Sequence, residues 1–395
     1  MSVQMVPQQS FAAELPATAD VVVVGGGIAG TSAAYHLARA GVKTVLLERD
    51  RIGSGATAAA VGLLSPPMRQ PFNETVHFRG QETAKRIWDF ALRSVAGLAA
   101  LLEARGEAAA SGLDVSGGYV LAESHTVHEV EASHRALHDA GMPVEWLTAQ
   151  EVRTLTKGKG LHGGYRIEGG GCVSPGPAAE GLARAAVDAG AAVIEQLDVD
   201  KTRRESGFIH CETNRGEVKC EMVVYATHVD SRRFSAFVGD EIVPIRGQGM
   251  VTAPGVLTVQ GAFATHWKLN VWRSDQEGRL ILGGWRHDAW DRSYWKTRPE
   301  VDHHLQEDIQ GWFEQVFPDY APLDVQRRWS GIFGWTADYL PLVGPLPGRT
   351  GELVISGFSG GGLPFAFEAG RVIASIVTEG DPVPGGDLLN PRRFA

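Results

Sequence analysis

Cysteine is scarce in this chain of 395 residues: Cys172, Cys211 and Cys220 are the full set. Their number is odd and no two have the short spacing of a zinc or redox motif, so a disulfide framework is excluded and free thiols are expected. Positive charge is also short. Lys and Arg number 37 against 46 Asp and Glu, a net charge of −9. That balance disfavours a nucleic-acid groove or an anionic membrane surface as partner. Long hydrophobic runs are missing: the longest aliphatic run near the start is Val21–Val24, against roughly 20 residues for a membrane helix. No membrane span is expected. The first 19 residues lack a basic start and an apolar stretch, and they read as a flexible extension, 1–19, of a cytoplasmic protein. No ligand cluster suggests a metal; the adjacent His303 and His304 sit in a polar helical stretch and read as solvated.

What is present is ordinary globular composition, 44% hydrophobic and 21% charged, with abundant glycine at 49 residues. The length suggests two to three domains. The β-branched run after Asp20 predicts a buried parallel strand ending at Val24, followed at once by Gly25-Gly26-Gly27-Ile28-Ala29-Gly30 and a helix over Thr31–Ala40. Gly41 stops that helix, and Lys43–Leu47 is a second strand ending in Glu48. Together these form one βαβ unit. Further on, helices are predicted over Arg86–Arg105, Val127–Ala140, Pro175–Ala189 and Ala366–Glu379. Strands are predicted at Gly118–Ala122, Ala192–Ile194, Met222–Ala226, Leu280–Gly284 and Leu353–Ser356. Between Gln260 and Trp295 stand Trp267, Trp272, Trp285, Trp290 and Trp295, which read mainly as packing, with one or two rings open to a ligand.

The pattern Gly25-x-Gly27-x-x-Gly30 between strand and helix carries the first chemical inference. Its first glycine permits the tight turn, the second lets the backbone approach a pyrophosphate, and the third lets helix and strand pack closely. The helix N-terminus then turns N–H groups and partial positive charge towards the phosphates. Glu48, closing the second strand, is placed to hold the ribose hydroxyls of an adenosine and to repel a 2′-phosphate. The motif alone does not separate NAD from FAD. Its position at the start of the chain tips the reading towards FAD. So does a distant second cluster, Gly357-Phe358-Ser359-Gly360-Gly361-Gly362, set between a strand and a helix. Such a helix end would stabilise negative charge on a reduced flavin.

These segments resemble the FAD-dependent amine and amino-acid oxidoreductase superfamily of D-amino acid oxidase, glycine oxidase and sarcosine oxidase. The motifs that carry the resemblance are Asp20–Arg51, Gly53–Leu64, Pro244-Ile245-Arg246-Gly247-Gln248, Tyr225-Ala226-Thr227, Trp329-Ser330-Gly331, Thr336–Gly344 and Gly357–Gly362. The resemblance implies an α/β chain with a glutathione-reductase-type FAD-binding Rossmann domain and an inserted mixed or antiparallel-sheet substrate domain. The expected division is 20–85, 151–230 and 328–395 for the discontinuous FAD-binding domain, and 86–150 and 231–327 for the substrate domain. The cofactor residues it implies are Gly25, Gly27, Ile28, Ala29, Gly30, Glu48, Arg49, Ala58, Ala59, Gly62, Leu63, Val199, Ala226, Thr227, Gly331, Gly357, Ser359, Gly360, Gly361, Gly362 and Leu363. The chemistry it implies is hydride transfer from a C–H beside an amine nitrogen to flavin N5, giving an imine. That step needs a neutral, well-held amine more than a dedicated base, so no catalytic residue is assigned.

Departures from the family pattern are informative. Where glycine oxidase-like members carry a carboxylate-clamping arginine, this chain has Phe333, and Pro364 stands in place of a sarcosine oxidase-like lysine. The expected substrate is therefore an amine or N-substituted amino compound held by His266, Asn270, Trp272, Trp335 and Phe365, with rings available for cation–π contact. Arg69, Arg246, Lys268 and Arg286 are left as possible anion partners. His228 replaces the usual glycine after Ala226-Thr227, so the local backbone is expected to differ. Gly331 occupies the position of a flavin-linking cysteine, which implies non-covalent FAD, and Ile281 occupies that of an oxygen-activating lysine. The electron acceptor, oxygen or another, stays open. Competing readings are an amino-acid oxidase or dehydrogenase of glycine or sarcosine oxidase type, an NAD-linked dehydrogenase, and a non-catalytic flavoprotein subunit.

Overall fold

The computed structural model describes residues 11–66, 71–265, 270–284 and 290–395. His266, Trp267, Lys268, Arg69, Trp285 and Arg286 lie outside them. The chain divides into two compact units: one runs up to Ala58 and adds Pro175–Pro244 and Phe333–Ala395, and the other comprises Ala59–Ser174 and Ile245–Ile332. This corrects the expected boundaries at 59–85, 151–174, 231–244 and 328–332. The reason is packing. The strand Leu63–Leu64 pairs with Gly171–Cys172, and Phe72 meets Trp88 edge-on at 5.7 Å. Val238 and Ile242, by contrast, join the core around Tyr225 and Phe234.

The first unit is built on an eight-stranded sheet. Its main path runs Leu342–Pro345, Glu352–Ser356, Gly216–Tyr225, Thr18–Val24, Thr44–Leu47, Ala192–Ile194. Thr18–Val24 is central and parallel to both Gly216–Tyr225 and Thr44–Leu47. Val21 to Val24 are all buried, as a β-branched run in a doubly covered parallel sheet should be. The hairpin strands Val199–Glu205 and Phe208–Thr213 extend the sheet from Gly216–Tyr225.

The helix Ile28–Arg39 crosses the helix Gly362–Glu379 at close range. A Cβ on Gly370 would lie 2.3 Å from Ser32 Oγ, and that hydroxyl donates to Phe367 O at 3.0 Å. Both helices begin earlier than expected from the sequence, at Ile28 and Gly362, because their opening residues are the motif glycines themselves.

A further correction concerns the amino-terminal stretch. Phe11 is buried; its N–H donates to a Glu195 carboxylate oxygen at 3.2 Å and its carbonyl accepts from Glu195 N–H, Ala12 bridges Ile194, and Thr18–Ala19 already belong to the central strand. Residues 11–19 are therefore part of the fold, anchored by one aromatic side chain and one added strand pairing.

The second unit holds another eight-stranded sheet, ordered Val325–Trp335, Val243–Thr252, Leu280–Gly284, Asn270–Ser274, Ala262–Thr265, Gly118–Glu123, Leu161–Ile167, Val144–Thr148. Ala262–Thr265 runs parallel to Gly118–Glu123, whereas Asn270–Ser274 pairs antiparallel with both its neighbours. Its core gathers Phe263, Trp272, Trp312, Phe313 and Phe317. Among the described residues no helix is long and apolar enough to cross a membrane. His303 and His304 open the helix His303–Val316 and are exposed.

One buried titratable group in the first unit gives the fold an acid-sensitive element. His36 lies edge-on to Phe367 at 4.6 Å, and burial, aided by Arg371 and Arg39, pushes its imidazole down to about 3. Unfolded, it protonates near 6.5. Between those values the unfolded chain binds the extra proton, so stability falls as pH drops from 6.5 towards 3. His36→Leu is expected to flatten this limb of a Tm-versus-pH curve; an unchanged slope would refute the assignment.

Candidate functional site

The glycine turn at residues 25–30 is shaped by contacts that exclude side chains. Gly25 sits at φ +105°, and a Cβ there would lie 2.6 Å from Ala226 O. A Cβ on Gly30 would lie 1.9 Å from Gly25 O, an impossible approach. Gly27 is the N-cap of the helix Ile28–Arg39 and offers it no side-chain cap. The Ile28 N–H is taken up by Thr57 Oγ1 at 3.0 Å, and the first intrahelical bond is from Thr31 N–H to Gly27 O. The Ala29 and Gly30 amides thus precede the helical ladder, as anion-binding amides at a helix start do.

Glu48 faces this turn. Its carboxylate accepts from Gly26 N–H at 2.6 Å and from Asp50 N–H at 2.8 Å. Burial raises its pKa, while those two backbone donors pull it back down. Leu197 N–H donates to Glu48 O, which brings the segment leading to Val199 beside the acid. Val199 itself is a buried core residue at the start of its strand. Arg49 is held by Asp230 at 2.9 Å. Thr57 and Asp230 are functional partners that the sequence did not single out, because their roles come from contacts 29 and 181 residues away.

The turn under the glycines is Ala226-Thr227-His228. Ala226 N–H donates to Val24 O, and Thr227 Oγ1 lies 3.0 Å from Ser231 Oγ. His228 takes the left-handed backbone, φ +55°, that a glycine would adopt freely. The backbone at His228 is thus held in a conformation that strains a residue carrying a side chain. Ser356 Oγ holds it by donating to His228 O at 2.7 Å.

The second glycine cluster lies in the same unit. Gly357, Ser359 and Gly360 all have positive φ. Ser359 N–H donates to Gly334 O, and Thr336 N–H donates to Ser359 Oγ at 3.3 Å. Gly361 is an N-cap without a side-chain cap, so the helix Gly362–Glu379 presents open amides at Gly362 and Leu363. Phe365 is buried in that helix. Trp335 is half-buried and lies 6.3 Å from Phe333 and 5.6 Å from Tyr339. The nearby Asp338 is bound by both ends of the Arg393 guanidinium, at 2.8 and 3.1 Å, which fixes the segment.

In the second unit, Ala59, Gly62, Leu63 and Gly331 form their own constellation, whereas Ala58 ends the first unit. A Cβ on Gly331 would lie 2.4 Å from Ala59 Cβ, so no side chain fits there, and Trp329 Nε1 donates to Ala59 O at 3.1 Å. Gly62 has φ +105° and abuts Val173 O. Ile281 stands directly opposite Arg273 across two strands. Asn270 is buried opposite Thr265, and neither Asn270 Oδ1 nor Thr265 Oγ1 has a hydrogen-bond partner among the described residues.

Trp272 departs from its expected role. It stacks on Phe263 at 5.5 Å and is enclosed by Trp312, Phe313 and Phe317, making it a core residue rather than a substrate wall. Arg246 is also committed, to Glu300 at 3.1 Å and to Arg292 O.

The first glycine turn excludes a Cβ at Gly25 and Gly30, the second holds Gly357 and Gly360 at positive φ, neither following helix is capped by its N-cap side chain, and the half-buried Glu48 carboxylate faces the first turn; this donor set suits a dinucleotide. Comparison agrees: the family model described as "FAD dependent oxidoreductase" (DAO) matches residues 20–376. The chain belongs to the DAO family of FAD-dependent oxidoreductases. It is 29% identical over 375 residues to glycine oxidase of Bacillus licheniformis, covering 92% of this chain and 94% of that one. It is 27% identical over 406 residues to 4-methylaminobutanoate oxidase (formaldehyde-forming) of Paenarthrobacter nicotinovorans, covering 96% of this chain and 46% of the relative. The crystal structure of glycine oxidase from Geobacillus kaustophilus shares its fold with a TM-score of 0.81, at 24% identity over 95% of this chain and 98% of the other.

As a member of the DAO family the chain is an FAD-dependent enzyme. Gly25, Gly27, Ala29, Gly30 and Glu48 are the residues suited to the adenosine diphosphate half, and the helix start at Gly362 is suited to a polar edge of the flavin. All three cysteines are buried, Cys172 on a short strand and Cys211 and Cys220 on the strands Phe208–Thr213 and Gly216–Tyr225.

Proposed function

We propose that this enzyme oxidises a CH–N bond of an amine, or of an amino compound whose carboxylate is absent or remote from the reacting carbon. The observation that carries the reading is Phe333, with Pro364: neither side chain can charge-pair with a carboxylate, and Phe333 packs on Trp335 and Tyr339 through an aromatic series. Aromatic faces attract the organic cation that an amine is at neutral pH. Trp335 and Phe365, both in the first unit, are the proposed rings.

Bound FAD supplies the hydride acceptor. The protein's part is to hold the substrate C–H in a reactive pose and to shield it from water, both of which lower the barrier without a dedicated proton carrier. The two helix starts, at Ile28 and Gly362, hold negative charge on the dinucleotide. The name of the relative from Paenarthrobacter, an oxidase of an N-methylated compound whose carboxylate is three carbons away from nitrogen, supports this substrate class.

An anaerobic reduction screen tests the reading. Primary, secondary and N-methylated amines lacking an α-carboxylate are expected to bleach the flavin at least about 10-fold faster than glycine, sarcosine or amino acids of either hand, the discrimination of one lost charged contact. Faster bleaching by glycine or sarcosine would overturn it. Failure across the whole panel would favour a non-catalytic flavoprotein subunit.

A further inference from the structure

The strand Asn270–Ser274 carries a charge in an unusual place. Arg273 is 3% exposed, and no carboxylate stands within ion-pair distance of it among the described residues. Asp275, the nearest acid in sequence, is committed to Arg279 at 3.3 Å and to the backbone of Glu277 and Arg279. The guanidinium instead donates to two backbone carbonyls, Val61 O at 2.6 Å and Ser274 O at 3.3 Å. Removing a guanidinium from water without a counter-ion is costly, and apolar residues of similar size serve a core better. A structural role alone therefore does not account for the choice of arginine.

Its surroundings say what it faces. The carbonyl it grips belongs to Val61, and a Cβ on Gly62 would lie 2.8 Å from its Nε and 3.3 Å from its Nη2. Gly62 is left-handed and closed in by Val173 O, so the peptide is fixed from both sides. Cys172, paired with Leu63, is the other neighbour, but burial pushes that thiol up to about 11 and it stays neutral. The cation thus has no ion-paired carboxylate among the second unit's described residues, Asp275 acting on it only at longer range, and its guanidinium holds the Val61 carbonyl.

We propose that Arg273 is a positioning residue for the flavin: it fixes the Val61–Leu63 turn and supplies the positive charge that complements a flavin carrying extra electron density. The proposal rests on the FAD reading above and on Gly62 and Leu63 as cofactor neighbours. A fixed charge in a dry setting acts strongly because little solvent screens it.

The test uses the FAD-loaded enzyme and sulfite, which adds to oxidised flavin and leaves a negative charge on the ring. Anaerobic sulfite titrations are followed by loss of the flavin's long-wavelength band for wild type, Arg273→Met and Arg273→Lys. Arg273→Met is expected to bind sulfite at least about 10-fold more weakly, and Arg273→Lys to stay within about 3-fold of wild type. A yellow Arg273→Met protein with the wild-type sulfite Kd would overturn the proposal. If Arg273→Met retains no FAD, Arg273→Lys decides: recovery of FAD and of sulfite affinity supports the role of charge. A lysine variant that is colourless, or yellow with weak sulfite binding, overturns it. Colourless wild-type protein would instead remove the FAD reading on which this rests.

Discussion

Gly30→Ala is expected to leave the protein without FAD. The added methyl would lie 1.9 Å from the Gly25 carbonyl oxygen and 3.1 Å from its carbon, both backbone atoms with nowhere to go. Overpacking of a tight site costs about 1–3 kcal/mol or more. Here the displaced group is the turn that must approach the pyrophosphate, so binding carries the loss. FAD retained through gel filtration, read as absorbance per chain, should drop by roughly tenfold or more, which 1.4 kcal/mol suffices to produce. Gly55→Ala is the control: Gly55 directly precedes the helix Ala56–Ala59, and its Cβ would meet nothing within 4 Å. That variant should stay yellow. Equal FAD content in the two variants would contradict the geometry of the turn.

Phe333→Arg has the second large effect, on substrate choice. An arginine and a substrate carboxylate make a bidentate pair, and hydrogen bonds between charged groups contribute about 1.5–3 kcal/mol. Steady-state kcat/KM for sarcosine-like amino acids should therefore rise by roughly 10- to 100-fold relative to the wild type. The same change removes a ring from the series with Trp335 and Tyr339, so kcat/KM for carboxylate-free amines should fall. A variant whose preference between the two substrate types is unchanged would show that Phe333 does not touch substrate.

Much of the first unit was legible in the amino-acid sequence because its information is local. Val21–Val24, the three glycines and Glu48 fall within one short stretch, and each has a stated backbone or charge requirement. Glycine at 25 and 30 follows from contacts with Ala226 O and Gly25 O, respectively, and sequence spacing reports such requirements well. His228 shows the limit: a glycine position can hold another residue when its neighbours over-determine the turn. Trp272 misled because a tryptophan in a strand says nothing of which face it takes. Phe263 and Leu282, opposite it on the neighbouring strands, put it into the core. Thr57, Asp230 and Arg273 left no sequence signal, since each acts on a partner remote in the chain. The unit boundaries failed for the same reason: Ala59 follows Gly331 and Trp329, more than 250 residues later, rather than its sequence neighbour Ala58.

The central claim is that the glycine turn and Glu48 bind the adenosine diphosphate half of a flavin held without a covalent bond. Acid precipitation of the purified protein, with the absorbance spectrum of the supernatant recorded against the protein precipitated, addresses it most directly. The account predicts yellow protein and a colourless precipitate, with about one FAD per chain released into solution. Protein that is colourless, and that remains so after incubation with excess FAD and gel filtration, would contradict it.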